Sequence, residues 1–458
     1  MLIIGIRILS EWRLVMQFNS TTFLFCFLPL FLVLYYLFPA KFRNWVILAG
    51  SLIFYYFSGS DPRLVLGMLA GNLLFTYFAA REIQASRHSW VLAASLAVLA
   101  GELIFFKLFS GGKYLPIGMS FYLFQMAAYL FDAYRQKLRA DRNLVDFSVQ
   151  MVLFPKLLMG PLMDPAQLQK QSKQPACSFK NFHLGMQQFI LGLALKVLLA
   201  NRIGGLWAQA ATIGHESISV VFAWMALIAY AMQLYFDFWG YSLMAMGIGH
   251  MLGFHFPENF IDPYASRSVS EFWRRWHVTL GAWFRNYVYI PLGGNRGGTV
   301  RTVLNLLAVW MFTGFWHGVG GNYLLWAGIL FFFIVNERLW LRKFLDQHKI
   351  FSHIYTVLVI LVSWVPFAIG DWNKMVIFMG KLFGLGSPAL NPQDYIVWGK
   401  EYLWLLLGGF VCATPLPRWI CNKLKRFALT DIIMFILFWV AVFYVATSAQ
   451  DPFLYFQF

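Results

Sequence analysis

Apolar residues occupy this chain in long unbroken stretches, with no short alternating runs of the kind that mark half-buried strands. The clearest stretches are 22–37, 64–80, 90–109, 182–200, 220–238, 323–339, 354–368 and 432–446. Weaker or shorter ones fall at 44–57, 117–133, 146–163, 303–316 and 402–413. A hydrocarbon core of ~30 Å takes ~20 helical residues to cross, and backbone polar groups inside it must be paired within the chain. The pattern therefore predicts an all-α, polytopic membrane protein with about ten to twelve transmembrane or re-entrant helices. No stretch between them is long and polar enough for a soluble domain. No internal repeat is visible, and residues 1–458 are expected to form a single membrane domain.

The first residues break the pattern. Segment 1–15 carries Arg7 and Arg13 around a short apolar patch, and Met16 opens Met-Gln-Phe-Asn-Ser directly before a strong span. Met16 reads as an alternative start and 1–15 as a dispensable extension. The following stretch has no small-residue cleavage site, so it reads as an uncleaved first helix.

Composition agrees with lipid as the solvent. Hydrophobic residues make up 60% of the 458 residues and charged ones only 12%, against roughly 25% charged in soluble domains. The net charge of +16 would suggest nucleic acid in a soluble protein. With no basic domain outside the apolar stretches, it reads instead as cationic loops that orient the spans. Arg338, Arg342, Lys343 and Lys349 in 336–349, and Arg418, Lys423, Lys425 and Arg426 in 415–426, place both loops in the cytoplasm. Cys26, Cys177, Cys412 and Cys421 form no Cys-x-x-Cys pair, and no metal site is implied.

Ionisable side chains are costly inside a membrane and face a partner or a wet cavity. They concentrate between Gln233 and Asn322: Asp237, Glu271, Arg274, Arg275, His277, Arg285 and His317. Several have plain readings. Arg274, Arg275 and Arg296 can snorkel to headgroups, and Glu271 with Arg275 has the i,i+4 spacing of a helix ion pair. Asp237, within an apolar run, reads as a structural hydrogen-bond hub before it reads as a catalyst. His317 follows an apolar run and is bracketed by Gly314, Gly318, Gly320 and Gly321, which allow close backbone approach around a cavity. A neutral imidazole there can take a proton from a hydroxyl, or it can simply hydrogen-bond between helices. His277 is the second candidate. His183, His250, His255 and His353 lie near predicted helix ends and carry no special signal.

Several strings in this order resemble one family. FWRRWHVTLGAWFRNYVYIPLGGNRGG and FTGFWHG are its core, and QLYFDFWGYS, GFHFPENFIDPY and PIGMSFYLFQMAAYLFDAYR extend the match. MQFNSTTFLF at Met16 and PFLYFQF at the end complete it. The chain resembles the membrane-bound O-acyltransferase family, most closely the bacterial branch holding the membrane protein of alginate O-acetylation. The resemblance implies helices surrounding a tunnel or funnel, with His317 as the main catalytic histidine and His277 as the second. His277 would orient the acceptor or stabilise developing charge, and Asp237, Arg274, Arg285 and Asn286 would form a substrate-binding or structural polar cluster. It implies no tightly bound cofactor. The acyl group, acetyl in this branch, would pass from a cytoplasmic thioester donor (acetyl-CoA or an acyl carrier) to a cell-surface polysaccharide. An extracytoplasmic acetyltransferase partner would often take part, and the location would be the bacterial cell membrane. Rival readings are D-alanyl transfer to teichoic acid, a transporter, or an inactive scaffold. Two departures stand out: Asn286 where the family usually has Asp, and Met-Gly-Pro-Leu-Met-Asp at 159–164 where Ala-Gly-Pro-Ile-Val-Arg is usual.

The charge pattern makes a direct prediction about topology. A Lys349→Cys variant in intact cells should resist an impermeant thiol reagent and react only after permeabilisation. Labelling from outside would overturn the orientation.

Overall fold

The computed structural model describes residues 16–58, 61–109, 116–417 and 428–447. The segment 1–15, most of the loop 415–426 and the closing PFLYFQF string therefore lie outside the described residues. Those described are mainly helical, joined by turns and irregular stretches, with one isolated antiparallel bridge between Phe260 and Trp276.

Among the described residues, seven helices are long and apolar enough to cross a membrane: Pro62–Ser86, Ser89–Phe109, Phe179–Ile213, Val220–Met251, Gly321–Gln347, Lys349–Ala368 and Leu429–Thr447. Shorter or less apolar helices add to these, including Phe23–Leu37, Arg43–Ser58, Met119–Tyr134, Gly298–His317 and Asp394–Cys412. Two of these spans run well past their apolar cores. Phe179–Ile213 absorbs a π-helical stretch at Leu195–Ala200, and the loop expected at 336–349 is helical up to Gln347, with a π-helical stretch at Glu337–Leu341. Large apolar side chains such as Trp404, Phe410, Phe435 and Phe443 point outward. In water that would be an aggregation surface; in a bilayer it faces acyl chains.

The chain divides into two compact units. The first comprises, among the described residues, 16–58, 61–109, 116–193, 241–257 and 439–447. It corrects one expectation, because 146–163 is not a span. Helix Leu144–Val152 stops at Leu153, a four-residue turn follows at Phe154–Leu157, and the chain then runs buried but non-helical to Met163. Pro155, Gly160 and Pro161 break the helix. Irregular backbone is tolerated at membrane depth only when protein surrounds it, and here side chains supply its hydrogen bonds. Ser51 Oγ accepts from Phe154 N at 3.1 Å, and Gln125 Nε2 donates to Met163 O at 3.2 Å. Asp164, where the resemblance leads one to expect arginine, caps helix Pro165–Lys173 by accepting from Gln167 N at 3.0 Å.

The second unit comprises, among the described residues, 194–240, 258–417 and 428–438. Within it Asp237 meets Lys196, whose Nζ lies 2.5 Å from Asp237 Oδ1, and both side chains are almost wholly buried. Two facing helices thus carry a desolvated ion pair. Removing one partner strands a charge, and this costs far more than removing both. Asp237→Leu alone should lower stability by about 3–5 kcal/mol, read as a fall in the melting temperature of detergent-solubilised protein. Lys196→Met added to Asp237→Leu should restore most of it. Equal losses in the single and double variants would contradict this account.

Candidate active site

The site lies in the second unit and is built from four short pieces of chain. Helix Val269–Arg275 opens at Ser268, whose hydroxyl accepts from Glu271 N at 2.9 Å. Glu271 reaches back to accept from Arg267 N at 2.8 Å, and its other oxygen pairs with Arg275 at 2.6 Å. The i,i+4 pair expected from the sequence is therefore present, and it serves the helix. A second carboxylate reinforces the same helix start. Glu337 accepts from Val269 N at 2.6 Å, Ser270 N at 2.9 Å and Ser270 Oγ at 2.7 Å. A buried carboxylate at a helix N-terminus meets both unpaired amides and the positive end of the dipole.

His277 stands between Val269–Arg275 and the next short helix, Val278–Phe284. Its backbone is left-handed, with φ 44° and ψ 52°. A non-glycine residue in this region costs roughly 1–2 kcal/mol and persists where the surroundings over-determine it, often at functional sites. The surroundings here are the segment around Asn259. Ile261 N donates to Arg275 O at 3.0 Å and Val278 N donates to Asn259 O at 2.9 Å. His277 Nδ1 lies 3.1 Å from Asn259 Oδ1, and the imidazole edge meets the Phe238 ring at 4.7 Å between centroids. Burial pushes this imidazole well below the usual histidine range, favouring the neutral ring.

His317 is the last residue of helix Gly298–His317, and the chain turns through Gly318–Gly320 into the next span. Gly314 makes that hairpin possible: a Cβ there would sit 2.9 Å from both Ala327 Cβ and Tyr323 O. The His317 ring is enclosed by aromatic rings, with centroids at 4.6 Å from Trp316, 5.0 Å from Trp326 and 5.1 Å from Phe367. Trp273, Trp310 and Trp364 continue this aromatic wall.

One cavity of about 1260 Å³ is lined by both His277 and His317. It is also lined by Arg267, Arg274, Arg275, Arg285, Arg338 and Arg342, against three carboxylates, Glu271, Glu337 and Asp346. Arg275 is taken up by Glu271, and Arg342 lies 4.0 Å from Asp346. Arg274 and Arg285 form no ion pair among the described residues. The cavity is therefore a basic chamber with two imidazoles in its wall.

The two histidines, Arg274 and Arg285 thus come together. Asp237 and Asn286 do not line the cavity. Asp237 is committed to Lys196, and Asn286 lies in the π-helical stretch Arg285–Tyr289. Sequence reasoning passed over Asn259 and Glu337, and it read Arg338 and Arg342 only as topology signals. No group of three or more His, Cys, Asp or Glu among the described residues could hold a metal ion.

Comparison with known proteins gives the family. Residues 75–379 match the membrane-bound O-acyltransferase (MBOAT) family. The probable alginate O-acetylase AlgI of Pseudomonas putida is 32% identical over 97% of this chain and 100% of its own length. The peptidoglycan O-acetyltransferase of Helicobacter pylori is 30% identical over 82% of this chain and 81% of its own. The teichoic acid D-alanyltransferase of Bacillus subtilis is 25% identical over 46% of this chain and 56% of its own. The chain belongs to the membrane-bound O-acyltransferase family. It is a multi-pass membrane O-acyltransferase, so an acyl donor and an acceptor are its substrates.

The Glu337 contacts predict a local effect. Glu337→Ala leaves three donors at the start of Val269–Arg275 without their acceptor. It should cost on the order of 2–3 kcal/mol and raise amide hydrogen exchange through residues 269–277. Unchanged exchange in that segment would show that the carboxylate does not hold the helix.

Proposed function

We propose that this enzyme moves an acetyl group from a cytoplasmic thioester donor to hydroxyls of a cell-surface polysaccharide. The observation that carries the reading is that one cavity joins both histidines to an arginine-rich wall. A thioester donor of this kind, acetyl-CoA or an acyl carrier, brings phosphate groups, and arginine is suited to bind them. Arg338 and Arg342 belong to the loop that the charge pattern assigns to the cytoplasm, which supports donor entry from that side. The acceptor class follows the relatives: the names of two of them specify O-acetylation of alginate or peptidoglycan. An extracytoplasmic acetyltransferase partner completes the reading, carrying the group onward where the polymer lies beyond reach of the membrane.

In the proposed chemistry His317 accepts the proton of the attacking hydroxyl as its oxygen bonds to the thioester carbonyl carbon. The C–S bond then breaks, and the departing thiolate recovers a proton from the imidazolium. Positive charge at this point is favoured by the carbonyl end of helix Gly298–His317. The aromatic wall excludes water, which would otherwise hydrolyse the thioester. Arg274 and Arg285 hold the donor's phosphates. No bound metal or cofactor is required.

His317→Ala should reduce polymer O-acetylation by ~10²–10⁴, the usual contribution of a general base. Membrane abundance and melting temperature should stay near wild type, since the ring lines the cavity and the surrounding aromatic rings hold one another. Near-normal acetylation at normal abundance would remove His317 from the mechanism. A loss of activity only in proportion to lost protein would make it a structural residue.

A further inference from the structure

The hydrogen bonds around His277 separate two roles that its position leaves open: donating to a developing oxyanion, or accepting from the acceptor hydroxyl. Asn259 Oδ1 is the meeting point of three donors. Thr279 Oγ1 lies 2.7 Å away, Thr279 N 3.4 Å and His277 Nδ1 3.1 Å. A backbone N–H can only donate, so the atom facing Thr279 N is the amide oxygen and not its nitrogen. An oxygen has no proton to give, so His277 Nδ1 must carry one to complete the bond. A neutral imidazole has a single N–H, so Nε2 is then a bare acceptor.

Two further observations agree. His277 Nε2 is buried and has no hydrogen-bond partner among the described residues. Asn259 is itself buried and does not line the cavity, whereas His277 does. The Nδ1 edge is thus bound inside the protein, and Nε2 is the ring nitrogen left without a partner in a residue that lines the cavity. The backbone carbonyl of Asn259 also holds Val278 N. One residue therefore grips the left-handed turn with its main chain and the ring with its side chain.

We propose that Asn259 is a positioning residue that fixes His277 in the Nδ1–H tautomer, so that Nε2 accepts a hydrogen bond from an acceptor hydroxyl next to the one that attacks. This rests on the acyl-transfer reading of the cavity and sharpens it. In this form His277 cannot donate to an oxyanion; it aims the acceptor through that neighbouring hydroxyl and leaves the proton of the attacking one to His317. A wrong tautomer at a comparable site elsewhere costs ~10⁴ in kcat.

The test is spectroscopic and does not depend on turnover. Protein carrying 15N-labelled histidine is reconstituted in lipid nanodiscs near neutral pH, and the His277 signals are assigned by their loss in His277→Gln. The wild type should show Nδ1 protonated and Nε2 bare. Asn259→Asp keeps an oxygen in place and should retain a protonated Nδ1. Asn259→Leu should lose that preference, with kcat for acetyl transfer down at least ~10²-fold, and KM for acetyl-CoA unchanged because the donor wall is untouched. Thr279→Val, which removes another donor to the same oxygen, should leave the His277 signals as they are. A wild-type His277 protonated on Nε2 would overturn the proposal even if Asn259→Leu failed to accumulate. So would an Asn259→Leu variant with the wild-type signals. The parent reading fails differently: His277→Ala and His317→Ala would both transfer acetyl normally, whatever tautomer the spectrum shows.

Discussion

An imidazole can exchange protons only where a substrate or water reaches it, and the hydrocarbon core of a bilayer offers neither. Chemistry at membrane depth therefore needs a cavity walled off from lipid by protein, with every backbone group in that wall paired internally. Most of the unusual features of the second unit answer to this requirement. Residues 269–289 form short helices, and the first start and the turn at His277 are each held by specific acceptors. Ser268 and Glu337 hold the first helix, and Asn259 holds the turn at His277. The outcome is a basic chamber that two histidines enter from opposite kinds of structure: one at a helix end, one at a strained turn.

The same requirement explains the division of labour among the charged groups. Asp237 and Lys196 neutralise each other away from the cavity, and Glu271 is spent on Arg275 and on its own helix. Arg274 and Arg285 keep their charge available. A cavity wall with more cations than anions attracts polyanions, which is what the proposed donor is, and in that proposal the tryptophans around His317 would keep bulk water from competing with the acceptor.

Much of this was legible in the residues themselves. Long apolar stretches state their own helicity, so the spans from Pro62 to Phe109 and from Val220 to Ala368 fall where the pattern puts them, with ends displaced. His317 announced itself as a polar residue among glycines after an apolar run. The segment 146–163 misled because its composition is apolar enough for a span, while Pro155 and Pro161 decide its path and protein, not lipid, surrounds it. Asn259 and Glu337 gave no local signal. One reads as a loop asparagine and the other as a charge at the end of a span, and their roles exist only through partners 18 to 68 positions away. Asp237 showed its burial in the pattern but not its partner, since nothing in the spacing links it to Lys196.

The central claim is that donor phosphates and reacting carbonyl occupy one cavity, with the phosphates on the arginine wall and the acyl group at the histidines. A cryo-EM structure with a non-hydrolysable thioether analogue of acetyl-CoA tests it most directly. The account predicts phosphate density against Arg274 and Arg285, and the acyl carbonyl beside His317 with His277 facing the space left for a hydroxyl. An analogue bound with its acyl group remote from both imidazoles would contradict it.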